Sequence, residues 1–336
     1  MLKKLLICFL SIAILTLSVG CGSSTYEQPA HPDTSGIKKI LFLGNSHAKD
    51  TCFALPEIFR AEGYTDYTFG LAYIGGSALV DHASNVTNNW DNYIYYLSVN
   101  CGNYTTPNGK TNDDYNLVTF GNILQDKAWD LVILQICMGD IFEGDNGDAN
   151  SRRTIVDYIH SILPDAKIGT SCSWLSPYAD DESTVNRPNQ WEQRMELYNR
   201  YGTTDAEHFA PQCTVMKSYI LNDPAYYISF SVGTSVYYAN KILGVPSGNV
   251  NYDATVLYRD DVHMTIYGRA MISYAFFAQF IGQEITKVSL DAVSVDVANG
   301  AYYDKQNIPA LTEEQKGVII DTANYTFNHP WEIPTA

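Results

Sequence analysis

Short apolar runs alternate with amphipathic segments along most of the chain. The run Asp130–Ile136, DLVILQI, shows no polar alternation, which is typical of a strand buried on both faces. The runs predict strands at 40–43, 67–73, 130–136, 167–172 and 227–230, and the amphipathic segments predict helices at 53–61, 152–163, 188–201, 264–281 and 313–324. This order predicts an α/β fold, a three-layer α/β/α sandwich with a mainly parallel central sheet.

The chain shows no internal repeat and no low-complexity linker after Gly36, which favours one domain over residues 37–285. Residues 286–336 have weak periodicity and are predicted to extend that domain and pack on it. Between about 81 and 120 the pattern breaks in a segment rich in Asn and Tyr, which we interpret as an insertion. Its aromatic side chains either stack on sugar rings near the site or form a small core of their own, and we favour the core.

The first twenty residues have the features of a bacterial export signal. Lys3 and Lys4 precede an apolar run, Leu5–Val19, that is shorter than the roughly 20 residues of a membrane-spanning helix. Leu17–Cys21, LSVGC, resembles a lipobox, which implies a lipid on Cys21, a tether to residue 36 and a location outside the cytoplasm on the bacterial membrane or cell surface. The alternative is an ordinary signal peptide with an incidental cysteine.

The formal net charge is −16. A nucleic acid or an anionic lipid surface requires cationic protein surface, so neither is expected as a partner, and the membrane is expected to be contacted only through the lipid. Of seven cysteines, Cys8 lies in the signal and Cys21 is the candidate lipid site, which leaves an odd number and no CxxC pair. Buried thiols are therefore expected, with a Cys137–Cys172 disulfide as an open possibility.

The first predicted strand ends abruptly at Gly44-Asn45-Ser46-His47. In open α/β sheets the site lies outside the carboxyl ends of the strands, so Ser46 is a candidate nucleophile, although Ser also commonly caps helices. A nucleophilic Ser needs a His to take its proton. Among seven histidines, His263 stands out because it directly precedes the last strong helix and follows Asp260 by three residues.

The blocks ILFLGNSH, with Ser46, and Asp260-x-x-His263 resemble the first and last blocks of the SGNH (GDSL-type) hydrolase superfamily. The resemblance spans roughly residues 37–282 through four short blocks. It implies that Ser46 is the nucleophile, that His263 is its base and that Asp260 orients the imidazole. YIGGSALVDH matches the superfamily's glycine block, which implies that an amide of Gly76, with Gly75 as the next choice, stabilises the oxyanion together with the amide of Ser46.

One block departs from the superfamily pattern. After the third strand the pattern is Gly-x-Asn-Asp, whereas this chain reads LQICMGDIF, so the Asn side-chain donor is missing. A poorly characterised branch that this sequence resembles has Gln in this strand, and Gln135 either replaces the donor or is a buried strand amide. Asn45 either supplies a donor or shapes the turn.

Four residues near these blocks are candidate substrate contacts: Asn45, His47, Gly75 and His82. The resemblance and the export signal together predict a serine esterase for small acyl esters, with acetylated carbohydrates as the expected class. Neither a metal nor another cofactor is expected, because the acidic run GDIFEGDNGD lacks the order of a calcium loop. The expected partner is a small-molecule or glycan ester, and the expected state is a monomer. Two alternatives stay open, an O-acetyltransferase with the same triad and a glycan-binding lipoprotein with a decayed site.

Overall fold

A six-stranded sheet forms the centre of the structure, a computed structural model that describes residues 31–111, 114–136, 145–174, 227–243, 257, 263–291 and 310–332. The strands of this sheet are β1 (Lys39–Gly44), β2 (Thr68–Tyr73), β3 (Ile94–Ser98), β6 (Leu131–Ile136), β7 (Lys167–Cys172) and β8 (Ile228–Phe230). Their order is β3-β2-β1-β6-β7-β8, and every neighbouring pair is parallel except β2 and β3. A short hairpin of β4 (Lys110–Thr111) and β5 (Asp114–Tyr115) lies apart from this sheet.

Apolar side chains cover both faces of the sheet. All six residues of β6 are buried, as are all but the first residue of β1. Phe42 and Ile133 belong to the core on one face, and Leu43 and Leu134 belong to the core on the other. Helices complete the two outer layers, so the predicted three-layer α/β/α sandwich with a mainly parallel sheet is confirmed.

The helices of the described residues are α1 (Ser46–Cys52), α2 (Leu55–Ala61), α3 (Leu79–Asn88), α4 (Phe120–Asp126), α5 (Asp145–Ile162), α6 (Val232–Ile242), α7 (Ile266–Ile281) and α8 (Glu313–Asn328). Helix α7 is nearly all buried, because it packs between the sheet and the neighbouring helices. Helix α8 packs against α6 and α7, and Asn324 exchanges two hydrogen bonds with the backbone of Ile285. None of these helices is both long and apolar enough to cross a membrane.

The predicted strands agree with the structure to within one residue at each end. The helix predicted at 53–61 is α2, which begins two residues later, at Leu55, and ends at Ala61 as predicted. The short helix α1, from Ser46 to Cys52, precedes it and was not predicted. The helix predicted at 188–201 lies outside the described residues. Cys52, Cys101 and Cys172 are buried. Cys137 lies outside the described residues, so a Cys137–Cys172 disulfide stays a possibility that the sequence left open.

The Asn- and Tyr-rich segment 81–120 contributes to the central sheet. It contains most of α3, the antiparallel edge strand β3 and the β4–β5 hairpin. Tyr93, Tyr95 and Tyr96 are all at most 4% exposed. These tyrosines therefore form core contacts, in line with the alternative that we favour.

Candidate active site

Ser46 lies at the carboxyl edge of the sheet, at the point where the chain changes direction. It is the first residue of α1, and only Asn45 separates it from the end of β1. The chain goes from β1 to β2 on one side and later returns to β6 on the other side of β1. In α/β sheets such a switch point is where ligands bind. The Ser46 side chain is partly exposed there.

The turn before Ser46 is held by a side chain from the neighbouring strand. Oε1 of Gln135 accepts hydrogen bonds from the amides of Asn45 at 2.9 Å and Ala48 at 3.1 Å. Gly44 is required beside this contact, because a Cβ there would lie 2.4 Å from Gln135 Oε1 and 2.7 Å from Ala48 Cβ. Close approach of β1 and β6 thus depends on a residue without a side chain at position 44.

Asn45 connects the Ser46 turn to the glycine loop. Its Oδ1 accepts the amide of His47 at 3.0 Å, and its Nδ2 donates to the carbonyl of Ser77 at 2.8 Å. The side chain is buried and both of its polar ends are occupied. Asn45 therefore shapes the turn, one of the two roles that the sequence left open.

The glycine loop follows β2, and its Gly75-Gly76 pair is exposed. Gly76 has a φ of +68°, a left-handed conformation that favours glycine. Within the described residues, the amides of Ser46, Gly75 and Gly76 donate no hydrogen bond to the protein. These backbone groups are therefore available to a ligand at the sheet edge.

His82 lies behind the glycine loop instead of facing the sheet edge. It is 1% exposed, its Nε2 lies 2.8 Å from Ser77 Oγ, and its Nδ1 lies 3.2 Å from the Tyr93 hydroxyl. Burial lowers the pKa of His82 to about 3, so the ring is neutral at pH 7. Ser77 Oγ also donates to the carbonyl of Ile74 at 2.9 Å. The residue expected to contact substrate thus supports the loop from inside.

His263 is brought next to the Ser46 turn. The ring of His47, the residue after Ser46, lies 6.0 Å from the ring of His263, edge to face. His263 is partly exposed and stands just before α7. On its other side His47 stacks on Trp174 with 4.5 Å between ring centroids. Asp260 lies outside the described residues, as does Cys21.

Trp174 and Asp50 are residues near the site that the sequence did not indicate. Trp174 follows β7 and is 1% exposed. Asp50 lies one helical turn after Ser46 on α1 and is fully buried. Its Oδ2 accepts the amide of Met264 at 2.8 Å, and its Oδ1 accepts Nε of Arg269 at 2.7 Å. Both are distant in sequence from the groups that they contact, so no local pattern marks them.

The carboxamide of Gln135 has a defined orientation. Two backbone N–H groups donate to the same atom of this side chain, so that atom must be the carboxamide oxygen, because the nitrogen cannot accept a hydrogen bond. The nitrogen, Nε2, is buried and has no hydrogen-bond partner among the residues that the structure describes. Gln135 is thus a buried strand amide that binds backbone, whereas a donor to substrate would have to be accessible.

Among the described residues, no group of three His, Cys, Asp or Glu side chains is arranged to hold a metal ion.

Comparison with known proteins supports the fold. No family model matches the chain, and no curated protein matches it. Among solved structures, a DUF4886 family protein from Bacteroides uniformis is similar with a TM-score of 0.59 and 18% identity, over 88% of this chain and 97% of that chain. At this identity the likeness shows a shared fold.

Two further solved structures are more distant. A protein from Parabacteroides merdae assigned as a GDSL-like lipase has a TM-score of 0.39 and 12% identity, over 73% of this chain and 95% of that chain. TesA has a TM-score of 0.36 and 12% identity, over 72% of this chain and 97% of that chain. At these TM-scores neither likeness bears on function.

Proposed function

We propose that the protein is a serine ester hydrolase of the SGNH type. The observation that supports this proposal is that the ring of His47, the residue after Ser46, lies 6.0 Å from the ring of His263, at the sheet edge where the exposed glycine loop follows β2. Ser46, His263 and the glycine loop were each expected from a separate sequence block. An acyl-transfer site needs a nucleophile, a base and oxyanion donors together, and these are the groups present.

In the proposed reaction, Ser46 Oγ attacks the ester carbonyl while His263 takes the hydroxyl proton. The negative charge on the carbonyl oxygen is stabilised by the amides of Ser46 and Gly76. When the C–O bond breaks, His263 returns the proton to the departing alcohol. Water then attacks the acyl-serine with the same base, which releases the acid and restores Ser46. Asp260 has the role of holding the His263 tautomer.

The substrate class that we propose is a small acyl ester, with acetyl groups on carbohydrate as the first class to test. Short acyl groups suit oxyanion donors that lie on a backbone loop at the sheet edge. A lipid on Cys21, with residues 22–36 as a tether, would hold the domain outside the cytoplasm, where glycan esters are accessible. The resemblance of LSVGC to a lipobox supports this part of the proposal.

One observation favours a second candidate, a glycan-binding protein with a decayed site. In the superfamily pattern the Asn donor follows the third strand. Gln135, the only side-chain amide on the matching strand β6, has its nitrogen buried. Loss of one oxyanion donor costs on the order of 10²–10³ in rate. Without this donor an enzyme would be slow, so a low rate alone cannot separate it from a binding protein. The two are separated by whether the turnover that is measured depends on Ser46.

The deciding experiment measures hydrolysis of p-nitrophenyl acetate by the domain from residue 22 on, beside Ser46→Ala and His263→Ala. We expect both variants to fall to background, a loss on the order of 10⁴-fold or more if the wild type is efficient. Ser161→Ala and His329→Ala remove the same groups from exposed positions and are the matched controls. Equal rates of hydrolysis in wild type and Ser46→Ala would contradict the proposal of a serine hydrolase. Binding of acetylated glycans without turnover would support the second candidate.

A further inference from the structure

We propose that Asp50 is a positioning residue that sets the distance between the nucleophile and its base. This inference rests on the proposed function for its catalytic part. Asp50 and Ser46 are four residues apart on α1, so they lie on the same side of the helix, one turn apart. The carboxylate of Asp50 binds the amide of Met264, which directly follows His263 in the chain. One side chain therefore joins the helix of the nucleophile to the backbone of the base.

The hydrogen bond to Met264 restrains the segment 263–265, which directly precedes α7. Thr265 caps α7 by accepting the amide of Gly268 at 3.1 Å, and its own amide donates to the carbonyl of Leu257 at 2.8 Å. His263 and Met264 are thus the last two residues before a fixed helix start. With the amide of Met264 held by Asp50, the backbone next to the imidazole is restrained from the side of Ser46.

Two side chains of helix α7, one turn apart, bind α1. Arg269 pairs with Asp50 Oδ1 through Nε and through Nη2, at 2.7 and 2.5 Å. One turn further along α7, Ser273 Oγ donates to the carbonyl of Thr51 at 2.7 Å. The two helices cannot slide past each other without breaking both contacts, so their relative position, and with it the position of His263, is defined.

The burial of this ion pair points to a geometric role. Asp50 is 0% exposed and Arg269 is 5% exposed. Removing two charges from water is so costly that apolar side chains of similar size often give an equal or more stable fold. The carboxylate in this place accepts from a side chain of α7 and from the backbone of the His263 segment at the same time. An apolar residue in its place could not bind the amide of Met264.

A second carboxylate in the same protein provides a matched control. Glu62 accepts the backbone amide of Ser289 at 2.7 Å and the hydroxyl of Tyr274, also on α7, at 2.8 Å. It thus links a backbone N–H to a side chain of α7, as Asp50 does, but it follows α2, away from Ser46. Glu62→Met and Asp50→Leu each replace a carboxylate by an apolar side chain of similar size that accepts no hydrogen bond, and only the second touches the His263 segment.

The experiment compares wild type, Asp50→Leu, Asp50→Leu/Arg269→Met and Glu62→Met. The double variant removes both charges and serves if the single variant leaves an unpaired Arg269 and fails to fold. For each protein we would measure kcat and KM on p-nitrophenyl acetate and amide hydrogen exchange of peptides covering 263–266. We expect kcat to fall by about 10²-fold with KM nearly unchanged in the Asp50 variants, because displacing a catalytic group by about 1 Å has that effect. Exchange over 263–266 should rise in the Asp50 variants alone, and Glu62→Met should keep the kcat of wild type.

The two readouts separate this inference from the proposed function. Wild-type kcat in a folded Asp50 variant, or unchanged exchange over 263–266, would overturn the positioning role. Equal losses of kcat in Glu62→Met would overturn it too, because a general loss of stability would then account for the effect. A wild type without Ser46-dependent turnover would refute the hydrolase, and it would also refute the catalytic part of this inference. The exchange data would still decide whether Asp50 holds the segment.

Discussion

Gln135 Oε1 lies 2.9 Å from the backbone nitrogen of Asn45, so a strand in the centre of the sheet holds the turn that presents Ser46. The two residues are 90 positions apart in sequence. They meet because β1 and β6 are parallel neighbours with Leu43 beside Leu134. The following residues of both strands therefore reach the carboxyl edge together, and the side chain of one can bind the backbone of the other.

Replacing Gln135 by Met should lower kcat, because the amides of Asn45 and Ala48 lose their acceptor and the turn is released. The free energy of unfolding should fall by about 1–3 kcal/mol for the N–H groups left unsatisfied. The measurements are urea unfolding and p-nitrophenyl acetate hydrolysis.

Gln279→Met is the control for that change. Gln279 is also buried, and its Oε1 accepts the amide of Ser231 at 3.0 Å. Unlike the nitrogen of Gln135, its Nε2 donates a hydrogen bond, to the carbonyl of Ala275. Removing the unsatisfied Nε2 of Gln135 offsets part of its loss, so Gln279→Met should cost more stability and leave kcat unchanged. The opposite ranking in stability would contradict the orientation assigned to the Gln135 amide.

Gly44→Ala should destabilise the protein and misplace Ser46. The added methyl would lie 2.4 Å from Gln135 Oε1 and 2.8 Å from Gln135 Cβ, and the Cβ of a strand residue cannot move away cheaply. We expect a loss of about 1–3 kcal/mol in the free energy of unfolding. Gly36→Ala, where nothing lies within 4 Å of the added atom, should be nearly neutral. Equal unfolding midpoints for the two variants would show that the turn tolerates a side chain.

Gly76→Ala tests the oxyanion loop separately from stability. A φ of +68° at Gly76 costs an alanine about 1–2 kcal/mol, which the loop can relieve by rotating its amide. Gly63 has a φ of +94° after α2 and open space around it, so Gly63→Ala carries a similar strain far from Ser46. Both variants should unfold at lower urea concentration, and Gly76→Ala alone should lose kcat. If their kcat values match, the amide of Gly76 is not an oxyanion donor.

His82 should make stability depend on pH. Burial lowers the folded pKa to about 3, below the ordinary histidine value of 6.5, so below pH 6.5 the unfolded chain binds a proton that the folded protein does not. The contribution is fully present above pH 6.5 and is lost as pH falls toward 3, with a slope of about 1.4 kcal/mol per pH unit. His82→Gln removes this contribution. Urea unfolding between pH 7 and pH 4 should show a shallower decline for His82→Gln, and parallel curves would contradict the buried neutral ring.

The sequence predicted the parts of the fold that depend on local composition. A run such as that of β6 can be buried on both faces only in the middle of a sheet, and the structure places it there. The segment around β3 was harder to interpret. Its residues Ile94–Leu97 are β-prone, but antiparallel pairing with β2 is a long-range contact that no local pattern records.

The candidate site was predictable to the same extent. Ser46, Gly76 and His263 each follow or precede a recognisable element, so their positions at one edge follow from the topology. Asp50 gave no signal, because an acidic residue on a short helix is ordinarily exposed. Its partners Met264 and Arg269 are more than 200 positions away, at 214 and 219 residues. Only the packing of α7 on α1 brings them together.

Because β1 lies inside the sheet, the residues that hold Ser46 and the residues at the rim of the site belong to different parts of the fold. The strand is bonded to β2 along its whole length on one side and to β6 on the other, so the groups that hold Ser46 are core residues. The exposed Gly75-Gly76 pair, in contrast, lies on the rim of this edge. Under the proposed function, substitutions at the rim should change which esters are accepted, while Ser46 stays in place because the core holds it.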